Sequence, residues 1–291
     1  MEKEYIGTAI YERSNTMKNI CVVTGGGSGM GLSTAKLMGK DHYIILVGRT
    51  VSKLENALKE LKDLGIEAET FPCDISKRDS VQTLVAHTES LGKTRAVIHA
   101  AGMSPHMGNG EIIFTVNAMG TIYMNEEFAK VMPQGGCILN VSSMSAYMLP
   151  DDNVPRELYK LSLSSPESFK EQMLGIINSM PGEMGANTAY TLSKNFVIWY
   201  TEKLACTVGK NGLRVVSVSP GTFRTPMGEI EGEQAASFAK RGALGRLGEP
   251  EEIAELMAFL ASEKCSYMTG VDILYDGGTI AAMHTQTELG E

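Results

Sequence analysis

Thr24-Gly25-Gly26-Gly27-Ser28-Gly29-Met30-Gly31 is the stretch on which the fold of this chain turns. Before it, Ile20-Cys21-Val22-Val23 reads as a buried parallel strand, and after it Leu32-Ser33-Thr34-Ala35-Lys36-Leu37-Met38 reads as a helix. The glycines occupy the joining turn. Glycine permits positive φ there and lets the backbone touch a ligand with no Cβ between, while the helix start offers free N–H groups to an anion. The turn therefore reads as a pyrophosphate seat. Its spacing is Gly-x-x-x-Gly-x-Gly rather than the Gly-x-Gly-x-x-Gly dinucleotide fingerprint, and a tight turn with no ligand is the plainer alternative.

Outward from the turn, apolar runs alternate with helical periods. The strand Tyr43-Ile44-Ile45-Leu46-Val47 ends in Gly48-Arg49-Thr50, and Leu54, Leu58, Leu61 and Leu64 follow at helical spacing. In dinucleotide folds an acid at this strand end binds the ribose 2′-hydroxyl of NAD, whereas an arginine accommodates the 2′-phosphate of NADP. Gly48 has no carboxylate to repel a phosphate and Arg49 supplies a planar charged donor, so NADP(H) is favoured and NAD(H) is the alternative. A solvated surface charge is the plain reading of Arg49.

Further strands are expected at 67–71, 96–100, 136–141, 213–218 and 271–275, with helices at 77–91, 112–131, 187–208 and 251–260. Such alternation predicts an α/β fold, a Rossmann-like doubly wound parallel sheet in a single three-layer α/β/α domain. Residues 1–17 read as an N-terminal extension, 18–280 as the domain and 281–291 as a C-terminal tail. Residues 145–186 break the rhythm, with a short helix expected near 166–177. A long irregular segment in a compact domain reads as a substrate lid, the preferred reading, or as a surface insertion or oligomer contact.

The chain has 291 residues, enough for one large domain, and a formal charge of −8 that argues against nucleic acid or an anionic membrane as partner. No apolar stretch has the length of a transmembrane helix and the first residues lack signal-peptide character, so a cytoplasmic location is expected. Cys21, Cys73, Cys137, Cys206 and Cys265 are far apart and read as thiols rather than disulfides or metal ligands. No metal is expected.

Tyr190 and Lys194 are four residues apart in an expected helix, so their side chains share one face. A tyrosine pKa of about 10 is too high for a base at neutral pH, and each tenfold gain in acidity needs about 1.4 kcal/mol. An ammonium about 4 Å away at an effective dielectric of about 20 contributes roughly 4 kcal/mol. Lys194 is thus expected to bring the phenol toward neutrality, although such a pair also fits a plain helix surface.

The glycine turn, Asp74, Ala101-Gly102, Asn117, Ser142-Ser143, Tyr190 with Lys194, and Pro220-Gly221 each follow or sit within successive strand and helix signals. With Gly245 to Ile253 and Asp276-Gly277-Gly278, this set resembles the short-chain dehydrogenases/reductases over nearly all of residues 18–278. The resemblance implies Tyr190 as general acid/base, Ser143 on the same substrate oxygen, Lys194 on the phenol and the nicotinamide ribose, and Asn117 holding a water toward Lys194. It also implies a cofactor framed by Thr24, Gly25, Ser28, Gly29, Met30 and Gly31, with Arg49, Asp74, Ile75, Ala101 and Gly102 beyond them. Pro220, Gly221, Phe223 and Thr225 would complete that site, and a homo-oligomer, dimer or tetramer, is implied.

The chain departs from that pattern twice. His99-Ala100-Ala101-Gly102 stands where the family usually has Asn-Asn-Ala-Gly, and His99 reads as a satisfied strand histidine. In addition, 47 positions separate Ser143 from Tyr190, as in hydroxysteroid dehydrogenase/carbonyl reductase members with an insertion there. Met103, Pro105, Met144, Tyr147, Met148, Phe223 and Met227 would wall an apolar substrate pocket. The expected reaction interconverts a bulky apolar ketone, steroid or bile-acid-like among the candidates, and a secondary alcohol. The alternatives are an NAD-linked hydroxysteroid dehydrogenase, a 3-oxoacyl-carrier-protein reductase, and a non-catalytic cofactor sensor.

Overall fold

The computed structural model describes residues 18–289. Its first half runs β1 (Lys18–Thr24), α1 (Gly29–Met38), β2 (Tyr43–Gly48), α2 (Val51–Asp63), β3 (Ala68–Pro72), α3 (Arg78–Leu91) and β4 (Gly92–His99). After β4 come α4 (Gly110–Phe114), α5 (Gly120–Ala129), β5 (Cys137–Val141), α6 (Arg156–Leu161), α7 (Pro166–Asn178) and α8 (Glu183–Val208). The chain ends with β6 (Arg214–Pro220), α9 (Pro226–Arg241), α10 (Pro250–Ala261), β7 (Asp272–Tyr275) and α11 (Thr279–Leu289).

All seven strands are parallel, in the order β3-β2-β1-β4-β5-β6-β7. Alternate residues of each strand feed opposite faces. Val22, Ile45, Val97 and Ile138 join a core with residues of α3, α4, α5, α7 and α8, while Cys21, Val23, Ile98 and Leu139 join one with residues of α1, α2 and α10. This is the expected three-layer α/β fold. The strand order reverses direction between β1 and β4, and the register aligns Thr24 with both Val47 and His99. The carboxyl ends of these strands therefore open into one crevice at the switch point, the usual ligand position in such sheets.

Apart from Ser145 and Met148 at its start, segment 145–186 does not line that crevice. Helices α6 and α7 lie against α4 and α8 and fully bury Tyr159, Phe169, Met173 and Ile177. Phe169 and Phe196 have ring centroids 4.6 Å apart, and Tyr159 meets Phe196 edge-on at 5.2 Å. Each such side chain contributes about 2 kcal/mol by burial, so lifting the pair as a lid would forfeit four of these contributions. Its reading as a lid is corrected to a core element.

Three boundaries also differ. The helix expected over 112–131 is broken by a π-helical turn at Thr115–Met119, and α8 starts at Glu183, four residues before the expected 187. The C-terminal tail is helical from Thr279 to Leu289. The N-terminal extension lies outside the described residues. All five cysteines are free thiols, and Cys206 alone is exposed.

Candidate active site

A cleft of about 470 Å³ runs along the carboxyl ends of the strands. The glycine turn forms its floor. Gly25 adopts φ +67°, and a Cβ there would come within 3.0 Å of the Ala100 carbonyl and the Ala101 nitrogen, so only a glycine lets the two loops touch. Thr24 Oγ1 accepts the Ala101 N–H at 3.0 Å and lies 2.9 Å from His99 Nδ1, which ties the turn to the end of β4. Helix α1 follows with no acidic residue in its first turn and no side-chain cap from Ser28. Its first N–H groups are thus left for an anion, and the lack of a Cβ at Gly31, which would stand 2.6 Å from the Gly25 carbonyl oxygen, lets the turn fold closely over the helix start in a shape that fits a pyrophosphate.

At the end of β2, Arg49 is exposed on the cleft wall and makes no ion pair or hydrogen bond among the described residues. Lys53, one turn into α2, stands beside it and packs at the glycine turn. Asp74 and Ile75 line the same end; the Asp74 carboxylate accepts from the backbone and hydroxyl of Ser76 at 3.2 and 2.7 Å.

The opposite wall belongs to α8. Lys194 Nζ lies 5.9 Å from the Tyr190 ring centre and donates to the Val141 carbonyl at 2.9 Å, while Ser142 Oγ donates to the Lys194 carbonyl at 2.7 Å. Ser143 begins the short turn after β5 and accepts the Ser145 N–H at 3.2 Å. Asn117 is 2 % exposed inside the π turn. Its amide donates to the Met103 carbonyl at 3.0 Å and to Ser193 Oγ at 3.2 Å, and its carbonyl accepts the Met103 N–H at 2.8 Å. Ser193 in turn donates to the Tyr190 carbonyl at 2.8 Å. A methyl group at Gly102 would meet Asn117 Oδ1 and Lys194 Nζ, each at 3.3 Å, so these two polar groups converge on the cleft behind Tyr190.

Residues 19–153 match the family described as short chain dehydrogenase, and residues 173–279 the one described as Enoyl-(Acyl carrier protein) reductase. A short-chain dehydrogenase/reductase of Alternaria brassicicola, bsc3, is 29 % identical over 276 residues, covering 93 % of this chain and 99 % of its own. The 3-oxoacyl-[acyl-carrier-protein] reductase FabG of Thermotoga maritima is 28 % identical, covering 90 % and 97 %. The chain belongs to the short-chain dehydrogenase/reductase family. A short chain dehydrogenase from Burkholderia cenocepacia, solved in complex with NADP, shares the fold at a TM-score of 0.71 with 22 % identity, covering 91 % of this chain and 99 % of that one. This chain is accordingly an NAD(P)-dependent oxidoreductase.

In this short-chain dehydrogenase/reductase every expected site residue lines the cleft except Asn117, which lies just beneath it. Tyr147 does not join the apolar wall; its hydroxyl donates to Asp272 Oδ2 at 2.7 Å. The expected movement of the phenol toward neutrality is also absent. Burial pushes the Tyr190 pKa up to about 12, with Ser143 pulling it down and Glu231 pushing it further up. Some of the ring stays open to the cleft, but the protein packed around it governs the hydroxyl. His99 is only half satisfied: burial and the Lys194 charge hold it neutral, near 3, and Nε2 has no partner among the described residues.

Among the cleft residues that sequence reasoning missed are Lys53, His106, Asn187 and Glu231. Lys53 had a signal, a second base one helical turn from Arg49. Glu231 had none, because α9 is amphipathic and its outward glutamates look alike in sequence.

Burial lowers the Lys194 pKa to about 8. Between that value and the unfolded value of about 10.4 the unfolded chain binds more protons than the folded one, so stability attributable to Lys194 rises with pH through this window. Below it the full desolvation cost is present. Lys194→Met should therefore be the more stable protein near neutral pH, and its advantage in urea melts should shrink between about pH 7 and pH 9.5. A constant difference would contradict the assignment.

Proposed function

We propose that this enzyme interconverts a ketone and a secondary alcohol with NADP(H), with Tyr190 as general acid/base. The observation that carries this reading is the convergence of Tyr190, Ser143 and Lys194 on the cleft wall facing the glycine cradle. In reduction Tyr190, protonated at neutral pH, gives its proton to the substrate oxygen while Ser143 holds that oxygen by a hydrogen bond. Lys194 then stabilises the phenolate, and Asn117 fixes the loop carrying Met103 and, through Ser193, the Tyr190 turn. The cofactor supplies or takes the hydride. Thr24, Gly25, Gly29, Gly31 and the α1 N-terminus would hold its pyrophosphate, and Thr225 and Phe223 the nicotinamide end.

Arg49, unpaired among the described residues at the β2 end, with Lys53 on the same cleft wall, supports NADP over NAD. A titration of the purified protein with NADPH and NADH tests this. NADPH should bind at least about tenfold tighter, about 1.4 kcal/mol, and Arg49→Ala should weaken NADPH while sparing NADH. Equal binding of the two would remove the phosphate contact. The apolar lining from Met103, Met144, Met148 and Met227 supports a bulky ketone, a fused-ring substrate among them. The T. maritima relative's name points to a carrier-tethered 3-oxoacyl group, but the acidic chain and Glu231 in the cleft oppose docking of an acidic carrier. We further read the enzyme as a homo-oligomer, since Tyr275 on the edge strand β7 and Val271 just before it leave apolar surface exposed.

A further inference from the structure

The cleft is asymmetric in charge. Its β2 end carries Arg49 and Lys53, whereas beyond β6 the wall carries a carboxylate, Glu231, on α9 with the apolar lining residues Met227 and Ile230. Glu231 is half-buried and makes no hydrogen bond or ion pair among the described residues. Asp74, the other acid on the cleft wall, follows β3 at the far edge of the sheet. Lys194 forms no ion pair with Glu231 among the described residues; its ammonium donates to the Val141 carbonyl. His106, exposed on the cleft-lining turn after β4, is the basic group whose charge reaches Glu231.

A carboxylate removed from water without a partner is destabilising, and burial accordingly raises the Glu231 pKa. It also acts against the chemistry. The Glu231 charge reaches the Tyr190 hydroxyl and disfavours the phenolate that forms whenever Tyr190 gives up its proton. A positive group bound beside Glu231 removes both penalties at once.

We infer that the substrate is a ketone or secondary alcohol whose apolar body bears a basic nitrogen, and that Glu231 receives its ammonium. This rests on the carbonyl-reducing reading above and narrows it.

The test measures binding and turnover separately. Tyr190→Phe saturated with NADPH is titrated calorimetrically with para- and meta-(aminomethyl)acetophenone and with the neutral isosteres para- and meta-ethylacetophenone. At least one amine should bind about tenfold tighter than its isostere, about 1.4 kcal/mol, and added salt should erode the preference. Adding Glu231→Gln should bring the ratio close to one, while His106→Gln should leave it intact or enlarge it. Amines that bind no tighter than their isosteres, or a preference that survives Glu231→Gln, would overturn the inference. A preference that vanishes in His106→Gln would overturn it too. Turnover of the neutral ketones by the unmodified enzyme with NADPH or NADH reports on the reductase reading independently. Turnover without an amine preference sinks the Glu231 assignment alone, and a Glu231-dependent preference without turnover sinks only the reductase reading.

Discussion

Tyr190→Phe is expected to lower kcat by a hundred- to ten-thousand-fold, the range for loss of a general acid, while leaving the Kd for NADPH within about twofold. The reason is local. Burial keeps the Tyr190 proton in place at neutral pH against the opposing pull of Ser143. Phenylalanine keeps the ring and its packing on α8, so Lys194 and the glycine cradle stay where they are. Steady-state ketone reduction together with a fluorescence titration of cofactor checks both halves. Retention of turnover would move the acid/base role elsewhere. A biological effect that persisted without turnover would instead favour a cofactor sensor.

Gly31→Ala should weaken cofactor binding by at least about tenfold and destabilise the fold by about 1–3 kcal/mol, the usual range for overpacking. The new Cβ would stand 2.6 Å from the Gly25 carbonyl oxygen, 3.0 Å from its carbon and 3.3 Å from the Gly26 nitrogen. All three are backbone atoms of the turn, so no side chain can rotate aside and the turn itself has to open. Gly175→Ala is the control. Nothing lies within 4 Å of that position, which is inside α7, so the change should be neutral or slightly stabilising by helix propensity. Thermal melts with and without NADPH separate the two effects. Unchanged cofactor affinity in Gly31→Ala would mean that the cradle is not the pyrophosphate seat.

Legibility differed by residue for physical reasons. The glycine turn was readable because strand, turn and helix are local and each has its own sequence period. Tyr190 and Lys194 were readable as one face because helical spacing guarantees it. The electrostatics of that face were not readable. The phenol lies high rather than near neutral, since burial and the Glu231 carboxylate act on it from parts of the chain that meet only after folding. Segment 145–186 was misread for a similar reason. Its irregular composition resembles that of a surface loop, but Tyr159 and Phe169 reach Phe196 and Trp199 on α8, contacts that no local pattern encodes. His99 was placed in its strand correctly, yet only the fold shows one ring nitrogen on Thr24 and the other without a partner among the described residues.

By itself, then, the sequence determined the alternating α/β order, the glycine cradle after β1, the Tyr190–Lys194 face and the absence of a carboxylate at the end of β2. These follow from short-range periodicity and from the backbone freedom of glycine. Only the tertiary structure decided that α6 and α7 fill the core, that Asn117 sits in a π turn tied to Met103, and that Glu231 faces the same cleft as Tyr190. Each of these depends on which distant surfaces meet, and that is set by long-range packing rather than by any neighbouring residue.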